Sequence, residues 1–239
     1  MEIKIGDYKN IVFFDTETTG FCGEKENIIE LAAVRINEKG IAEMDEFIRL
    51  PEGKKIPPEI TELTHITDVM LEAQGKSEEA VMTMFDELIS GDGTLLIAHN
   101  AQFDLNFIGW TAARHKEQHP SWIRNIAKAD YLDTLTIYKD RRKYPHKLVN
   151  AIEEYGLSDK VQNSHRAVDD CRALVEVLKA MQAERDDVAR YVNIFGYNPK
   201  YGVSGSKYKK VTYMPHDGRP YMALPEQILP ALAKAYNQR

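Results

Sequence analysis

The sequence predicts an α/β sandwich: a mixed five-stranded sheet with helices packed on it, followed by a small C-terminal extension. Three observations lead there. Three β-type segments come first in meander; strand and helix patterns then alternate; and the chain beyond Arg185 changes in charge and composition. The overall balance, 43% hydrophobic and 28% charged over 239 residues, is that of a globular chain and excludes collagen-like, low-complexity and wholly disordered readings. The longest apolar runs, such as Ile11 to Phe14, are too short for a bilayer span or a signal-peptide core, so a cytoplasmic protein is expected, with no membrane partner. Two cysteines, Cys22 and Cys171, provide neither a disulfide framework nor a Cys-based zinc site.

The elements follow in order. A short apolar strand at 10–14 ends in an acid. A second strand at 28–36 reaches the turn Asn37-Glu38-Lys39-Gly40, and a third is expected at 44–50. Pro51, Gly53, Pro57 and Pro58 then mark a loop entering a helical turn at 59–63. Ser77 is a candidate N-cap for a helix to Ser90, with Val81, Met84, Phe85 and Leu88 on one face and Gly91-Asp92-Gly93 ending it. A brief strand at 95–98 is apolar throughout, as strands covered on both faces are. Asn100 is the expected cap of a helix to His115. The fifth strand falls at 129–133, and helices follow at 134–141, 147–155 and 166–191. The sheet domain is thus expected over residues 8–185, with residues 186–239 as the extension.

Net charge is −6, but the two parts have opposite signs. Residues 1–185 carry 23 Lys and Arg against 33 Asp and Glu, whereas residues 186–239 carry 8 against 4 and hold 7 of the 12 tyrosines. An acidic body with a basic, aromatic tail suits a tail that stacks bases and neutralises phosphates, guiding a single strand toward an acidic site. The alternative is that the tyrosines pack the tail onto the domain and the lysines are solvated. A helix at 224–236, broken by Pro230, is the last expected element. A second basic cluster, Arg141, Arg142, Lys143 and Lys147, is either a backbone-contacting patch or a solvated face.

Three segments place acids where apolar residues belong. Asp15-Thr16-Glu17 continues the first strand, and the two-residue period of a strand puts both carboxylates on one face. Such a pair repels unless a proton or a cation joins it; the alternative is a solvated strand end. His99-Asn100-Ala101-Gln102-Phe103-Asp104 follows the 95–98 strand, so Asp104 can converge on the same carboxyl edge, or it can simply complement a helix N-terminus. In Ser164-His165-Arg166-Ala167-Val168-Asp169-Asp170-Cys171, a helical projection from Ala167 groups Cys171, Leu174, Leu178 and Met181 near 0°. Asp170 lies at the edge of that arc, at about 300°, and Asp169 opposite it, at about 200°. Asp170 is therefore the packed acid and Asp169 the surface one. His165 can share a site with Asp170 only from a position at or before the helix start; otherwise it is an exposed histidine.

Taken together, four carboxylates without clustered Cys or His ligands select a hard divalent cation, Mg²⁺ with Mn²⁺ as substitute, and four such charges suit two ions better than one. Two ions activate a water and stabilise the leaving oxygen of a phosphodiester displacement, for which a histidine is a natural general base.

Asp15-Thr16-Glu17-Thr18-Thr19-Gly20, His99-Asn100 with Phe103-Asp104, and His165-x-Ala167-x-x-Asp170 resemble, in order, the three motifs of the DEDDh family of DnaQ-type 3′–5′ exonucleases. The resemblance runs from Asp15 to Asp170. It implies an RNase H-like fold, with Asp15, Glu17, Asp104 and Asp170 binding the metal ions and His165 as general base, and its motif selects Asp170 over Asp169, as the helical projection does. It further implies that Thr18 and Phe21, and Asn100 and Phe103, lie against the terminal nucleotide. Leu63-Thr64-His65-Ile66-Thr67 resembles the loop before the second motif, where Leu63 wedges against the base and Thr64 binds the sugar; the family usually has glycine where His65 stands. Proofreading subunits or domains of bacterial DNA polymerase III are of this type, which places a DNA polymerase among the candidate partners.

The expected activity is metal-dependent removal of 5′-mononucleotides from the 3′ end of a nucleic acid, single-stranded DNA in the first instance, in proofreading or repair. An exoribonuclease acting on RNA 3′ ends is the alternative enzyme, since the metal chemistry does not depend on a 2′-hydroxyl. A non-catalytic module binding nucleic acid or polymerase is the third reading, disfavoured by the full set of acids and the histidine.

Overall fold

A computed structural model describes residue 3, residues 5–161 and residues 166–194 of the chain. Among these residues one sheet of five strands has the order β3-β2-β1-β4-β5. β1 (Asn10–Thr18) pairs antiparallel with β2 (Ile28–Asn37), which pairs antiparallel with β3 (Gly40–Phe47). On its other side β1 pairs parallel with β4 (Thr94–Ala98), and β4 with β5 (Asp130–Asp133). β1 is thus central, and the carboxyl ends of β1, β4 and β5 share one edge of the sheet.

Strand alternation assigns the two faces. Val12 and Phe14 join Leu31, Ala33, Leu96 and Ala98 under α3 (Glu78–Ile89), α4 (Ala101–Arg114) and α5 (Pro120–Lys128). Ile11 and Phe13 join Ala32, Val34, Leu95 and Ile97 under α8 (Ala167–Glu184). With both faces covered, the inner strands read as near-continuous apolar runs, which is why they are visible in the sequence. α6 (Thr134–Arg141) and α7 (Leu148–Glu154) complete the domain, and none of the helices among the described residues is long and apolar enough to cross a membrane.

Several boundaries differ from expectation for physical reasons. β1 runs on through Thr18 because its ladder with β2 continues past the apolar run as far as a bulge between Glu17 and Thr18. β3 begins at Gly40 rather than Met44, since the tight turn pairs Asn37 directly with Gly40. Two helices escaped the sequence reading. α2 (Asp68–Gln74) buries only Leu71, and α5 buries only Trp122 and Ile126, too few apolar positions to set a period. The face of α3 is centred on Val81, Met82, Phe85 and Ile89, with Met84 and Leu88 only partly covered. α8 stops at Glu184 instead of continuing to Tyr191, and residues 188–191 form a separate 3₁₀ turn. Val188, Tyr191 and Val192 pack into the α8-side core, beyond the expected boundary at 185. His165 and the tail from residue 195 onward, including the glycine- and tyrosine-rich stretch and the helix expected at 224–236, lie outside the described residues.

Two of the four residues of the basic cluster are held in ion pairs. The Arg141 side chain is fully buried and donates to Met181 O (2.6 Å) and to Asp187 Oδ1 (2.5 Å), and Arg142 bridges Glu154 and Glu184. Half of the expected patch therefore tethers α6 to the end of α8, leaving Lys143 and Lys147 exposed.

α1 (Pro58–Thr64) ends on His65 at φ 60°, ψ 11°, whose N–H donates to Thr61 O. That left-handed conformation suits glycine, which explains the family's usual residue here: this chain keeps the backbone shape and accepts the Cβ strain. Because the His65 side chain is exposed, His65→Gly is expected to raise the unfolding midpoint by roughly 1–4 °C, corresponding to about 0.5–1 kcal/mol. Thermal denaturation monitored by circular dichroism checks this, and a lowered midpoint would contradict it.

Candidate active site

Beyond the apolar pairs, β1 keeps its two-residue alternation, so Asp15 and Glu17 take the same face as Ile11 and Phe13. α8 brings Asp170 to that face from its first turn, 8% exposed, while Asp169 is more exposed and stands within 3.6 Å of Arg172. The helical projection thus separated the two acids correctly. Carboxylate oxygens of Asp15, Glu17 and Asp170 lie within 4.8 Å of one another.

Asp104 arrives from the opposite layer, in the first turn of α4 and 3% exposed. Its Oδ1 accepts from Thr16 N (3.0 Å) and Thr16 Oγ1 (2.8 Å), so the residue between the two β1 acids, pointing to the other face, is the one that holds the fourth. Sequence reasoning gave Thr16 no role.

Two further acids were missed. Glu30 is fully buried on β2, paired in register with Glu17, and its carboxylate accepts from Arg166 Nε (2.8 Å) and Ala167 N (3.1 Å) at the start of α8. Asp133, at the end of β5, accepts through Oδ1 from Asn100 N (2.9 Å), Ala101 N (3.3 Å) and Leu135 N (3.1 Å), and through Oδ2 from Thr136 Oγ1 (2.8 Å). Asn100 is therefore not the cap it was expected to be. Its backbone is left-handed (φ 74°), its side chain makes no capping bond, and Asp133 satisfies the helix N-terminus from the neighbouring strand. The signal for Glu30 was present, an acid inside an apolar strand, as for Asp15.

The substrate-contact candidates divide. Phe21 and Leu63 are 70% and 51% exposed, apolar side chains free to meet a base. Thr64 is buried, its hydroxyl donating to Ile60 O (2.9 Å) and accepting from Ile66 N (3.2 Å); these bonds finish α1 and leave no free hydroxyl proton for a sugar. Thr18 donates to Gly20 O (2.7 Å), holding the turn that presents Phe21. Phe103 is half-buried against Phe107, with ring centroids 5.1 Å apart, and the Asn100 side chain is exposed. His99 donates from Nε2 to His146 O (2.9 Å); burial lowers its pKa, which keeps it neutral in this structural tie.

The electrostatics are those of a cation site. Burial, and then repulsion from Asp104, Glu17 and Asp170, push the Asp15 carboxyl well above the usual range. Burial and then Asp170, Glu30 and Asp104 push Glu17 up to about 8, partly opposed by Arg166. Burial raises Asp104 to about 7 against the lowering effect of the Thr16 bonds. Closely spaced acids that resist ionisation are stabilised by a divalent cation.

Because these pKa values lie above those of the unfolded chain, the metal-free fold holds more protons and loses stability as pH rises, from 4.5 to about 8 for Glu17. Glu17→Gln is accordingly expected to match wild type in unfolding midpoint near pH 5 under chelator and to exceed it by roughly 2–6 °C at pH 8, where the repulsion is fully developed. Identical pH profiles for the two proteins would refute this.

The sequence matches the profile of the RNase_T family, described as Exonuclease, over residues 12–178. It is 34% identical over 170 residues to DNA polymerase III subunit epsilon of Treponema pallidum, covering 71% of this chain and 75% of that protein. It is 36% identical over 173 residues to the PolC-type DNA polymerase III of Clostridium perfringens, covering 70% of this chain but only 11% of that one. Among solved structures, E. coli exonuclease I in complex with a dA16 oligonucleotide superposes with a TM-score of 0.64 at 17% identity, over 77% of this chain and 42% of that one. Another structure of exonuclease I, which suggests how processivity is achieved, gives 0.66 at 18% identity, over 77% of this chain and 43% of that one. The shared fold is RNase H-like.

Proposed function

Since the chain belongs to the RNase_T family of exonucleases, we propose that it removes nucleotides one at a time from the 3′ end of single-stranded DNA, as a DnaQ-like 3′–5′ exonuclease. The observation that carries this reading is the meeting of Asp15, Glu17 and Asp170, from two distant segments, within 4.8 Å, with Asp104 electrostatically coupled to them. Divalent metal dependence follows from the family and the carboxylate cluster; Mg²⁺ as the physiological ion, two per site, is part of the proposal. Asp15, Glu17, Asp104 and Asp170 would hold the ions, which when bound supply Lewis acidity for the attacking water and the leaving oxygen.

The chain's own residues have the remaining tasks. His165, directly before Arg166 in sequence, takes the proton of the attacking water as general base. Exposed Phe21 and Leu63 offer apolar faces to the terminal base, and the loop bearing Phe21 is tied to α4 by Gly23 N donating to Asn106 Oδ1 (2.9 Å). A β-carbon at Gly23 would fall 2.7 Å from that oxygen, so glycine permits the close approach. The catalytic unit proposed is residues 8–185 with the packed turn at 188–192. The relatives' names favour a DNA polymerase as partner, and the dA16 bound to exonuclease I favours single-stranded DNA as substrate.

A 5′-labelled oligonucleotide incubated with the protein is expected to shorten stepwise from its 3′ end with Mg²⁺, and to remain intact with chelator or with Asp15→Ala. His165→Ala is expected to lose turnover by roughly 100-fold or more while retaining DNA binding; Asp169→Asn is expected to stay within about 2-fold of wild type. Endonucleolytic fragments would defeat the reading, and faster digestion of a matched RNA strand would reassign the substrate.

A further inference from the structure

We propose that Glu30 is a positioning residue for the reaction: it binds no metal or substrate, but clamps the first turn of α8 so that Asp170 is held opposite Asp15 and Glu17. The inference rests on the exonuclease reading for its kinetic consequence, though not for its structural and metal-binding consequences.

Glu30 is 0% exposed, within the otherwise apolar run from Ile28 to Val34 of β2. An unpaired carboxylate there would be costly, so its partners must explain its presence. Oε1 accepts from Arg166 Nε and lies 2.8 Å from Arg166 Nη2; Oε2 accepts from Ala167 N at 3.1 Å. Ala167 opens α8, and the N-cap residue, Arg166, provides no side-chain cap of its own. The first N–H of α8, which no helical carbonyl can reach, is therefore satisfied by an acid from the strand that also pairs with Glu17. One strand residue thus fixes the helix start relative to β1. Asp170 lies three positions further on, its N–H bonded to Arg166 O (3.1 Å), so a shift of the helix start moves Asp170 directly.

Arg166 is held in turn. Its guanidinium stands 4.9 Å from the centre of the Phe47 ring and 3.8 Å from Asp45, so β2 and β3 both grip the residue that follows His165 in the chain. Both carboxylate oxygens of Glu30 are engaged by the start of α8. A solely structural acid would affect stability alone. A positioning acid affects metal affinity and turnover in the folded protein.

The test uses the full chain with Glu30→Gln, which keeps the shape and an acceptor for Ala167 N–H but turns an amide NH₂ toward the guanidinium. In the folded variant, kcat on a labelled single-stranded oligonucleotide is expected to fall roughly 10- to 100-fold with KM within about 3-fold. Mn²⁺ affinity, titrated by electron paramagnetic resonance, is expected to weaken roughly 10-fold, and amide exchange over residues 167–170 to accelerate. Arg172→Gln, on the same helix, breaks the exposed pairs with Glu43 of β3 and with Asp169; it is the control and is expected to leave kcat and Mn²⁺ affinity unchanged. A folded Glu30→Gln protein with a lowered unfolding midpoint but wild-type kcat and Mn²⁺ affinity would overturn the proposal. Should Glu30→Gln fail to fold, Arg166→Gln decides, with weakened Mn²⁺ binding supporting the clamp and wild-type binding overturning it. A wild-type protein without nuclease activity, in which Glu30→Gln still weakens Mn²⁺, would remove the exonuclease reading and leave the clamp standing.

Discussion

Carboxylates gathered this closely repel one another, and the fold must hold them there before any cation arrives. Asp15, Glu17 and Asp170 lie within 4.8 Å at a half-buried strand end, with Asp104 close enough to raise the Asp15 pKa further. Water screens such a group poorly, so the metal-free site opposes folding. The stabilising contribution comes from elsewhere: two apolar layers, one under α3, α4 and α5 and one under α8, clamp the sheet on both faces. The site sits where those layers end, at the carboxyl edge of β1.

The scaffold meets this constraint with a second set of acids that face inward. The helices delivering Asp104 and Asp170 are each started by a carboxylate from a strand, Asp133 for α4 and Glu30 for α8. Each satisfies N–H groups that helix geometry leaves without a partner and ties that helix end to the sheet. Thr16 completes the arrangement by fixing Asp104 directly to β1. Negative charge near the two helix N-termini also complements their dipoles, so the anchoring acids stabilise the helices that carry Asp104 and Asp170.

Much of this was legible beforehand because the chemistry needs uncommon residues at fixed periods. An acid two residues beyond another on a strand, and an acid on the packed side of a helix, stand out against an apolar pattern; hence Asp15, Glu17 and Asp170 were identified without coordinates. α6 was expected at residues 134–141 and lies there. Short helices with one or two buried residues were not legible, because α2 and α5 carry too few apolar positions to establish a period. The basic cluster misled for a related reason: a sequence shows that Arg141 is charged, not that Glu184 and Asp187 come from another helix to enclose it.

The sequence by itself determined which residue types occupy the strand ends and helix starts, and with them the family and the class of reaction. These follow from local periodicity and from motifs that need no knowledge of distant neighbours. Only the tertiary structure decided which acids gather in one cluster and which anchor a helix start. Glu30 and Asp133 differ from Asp15 and Asp170 in the partners that reach them across the sheet, 137 residues away in the case of Glu30 and Ala167. Pairing of that kind depends on which strands lie side by side, and strand order is a property of the folded chain.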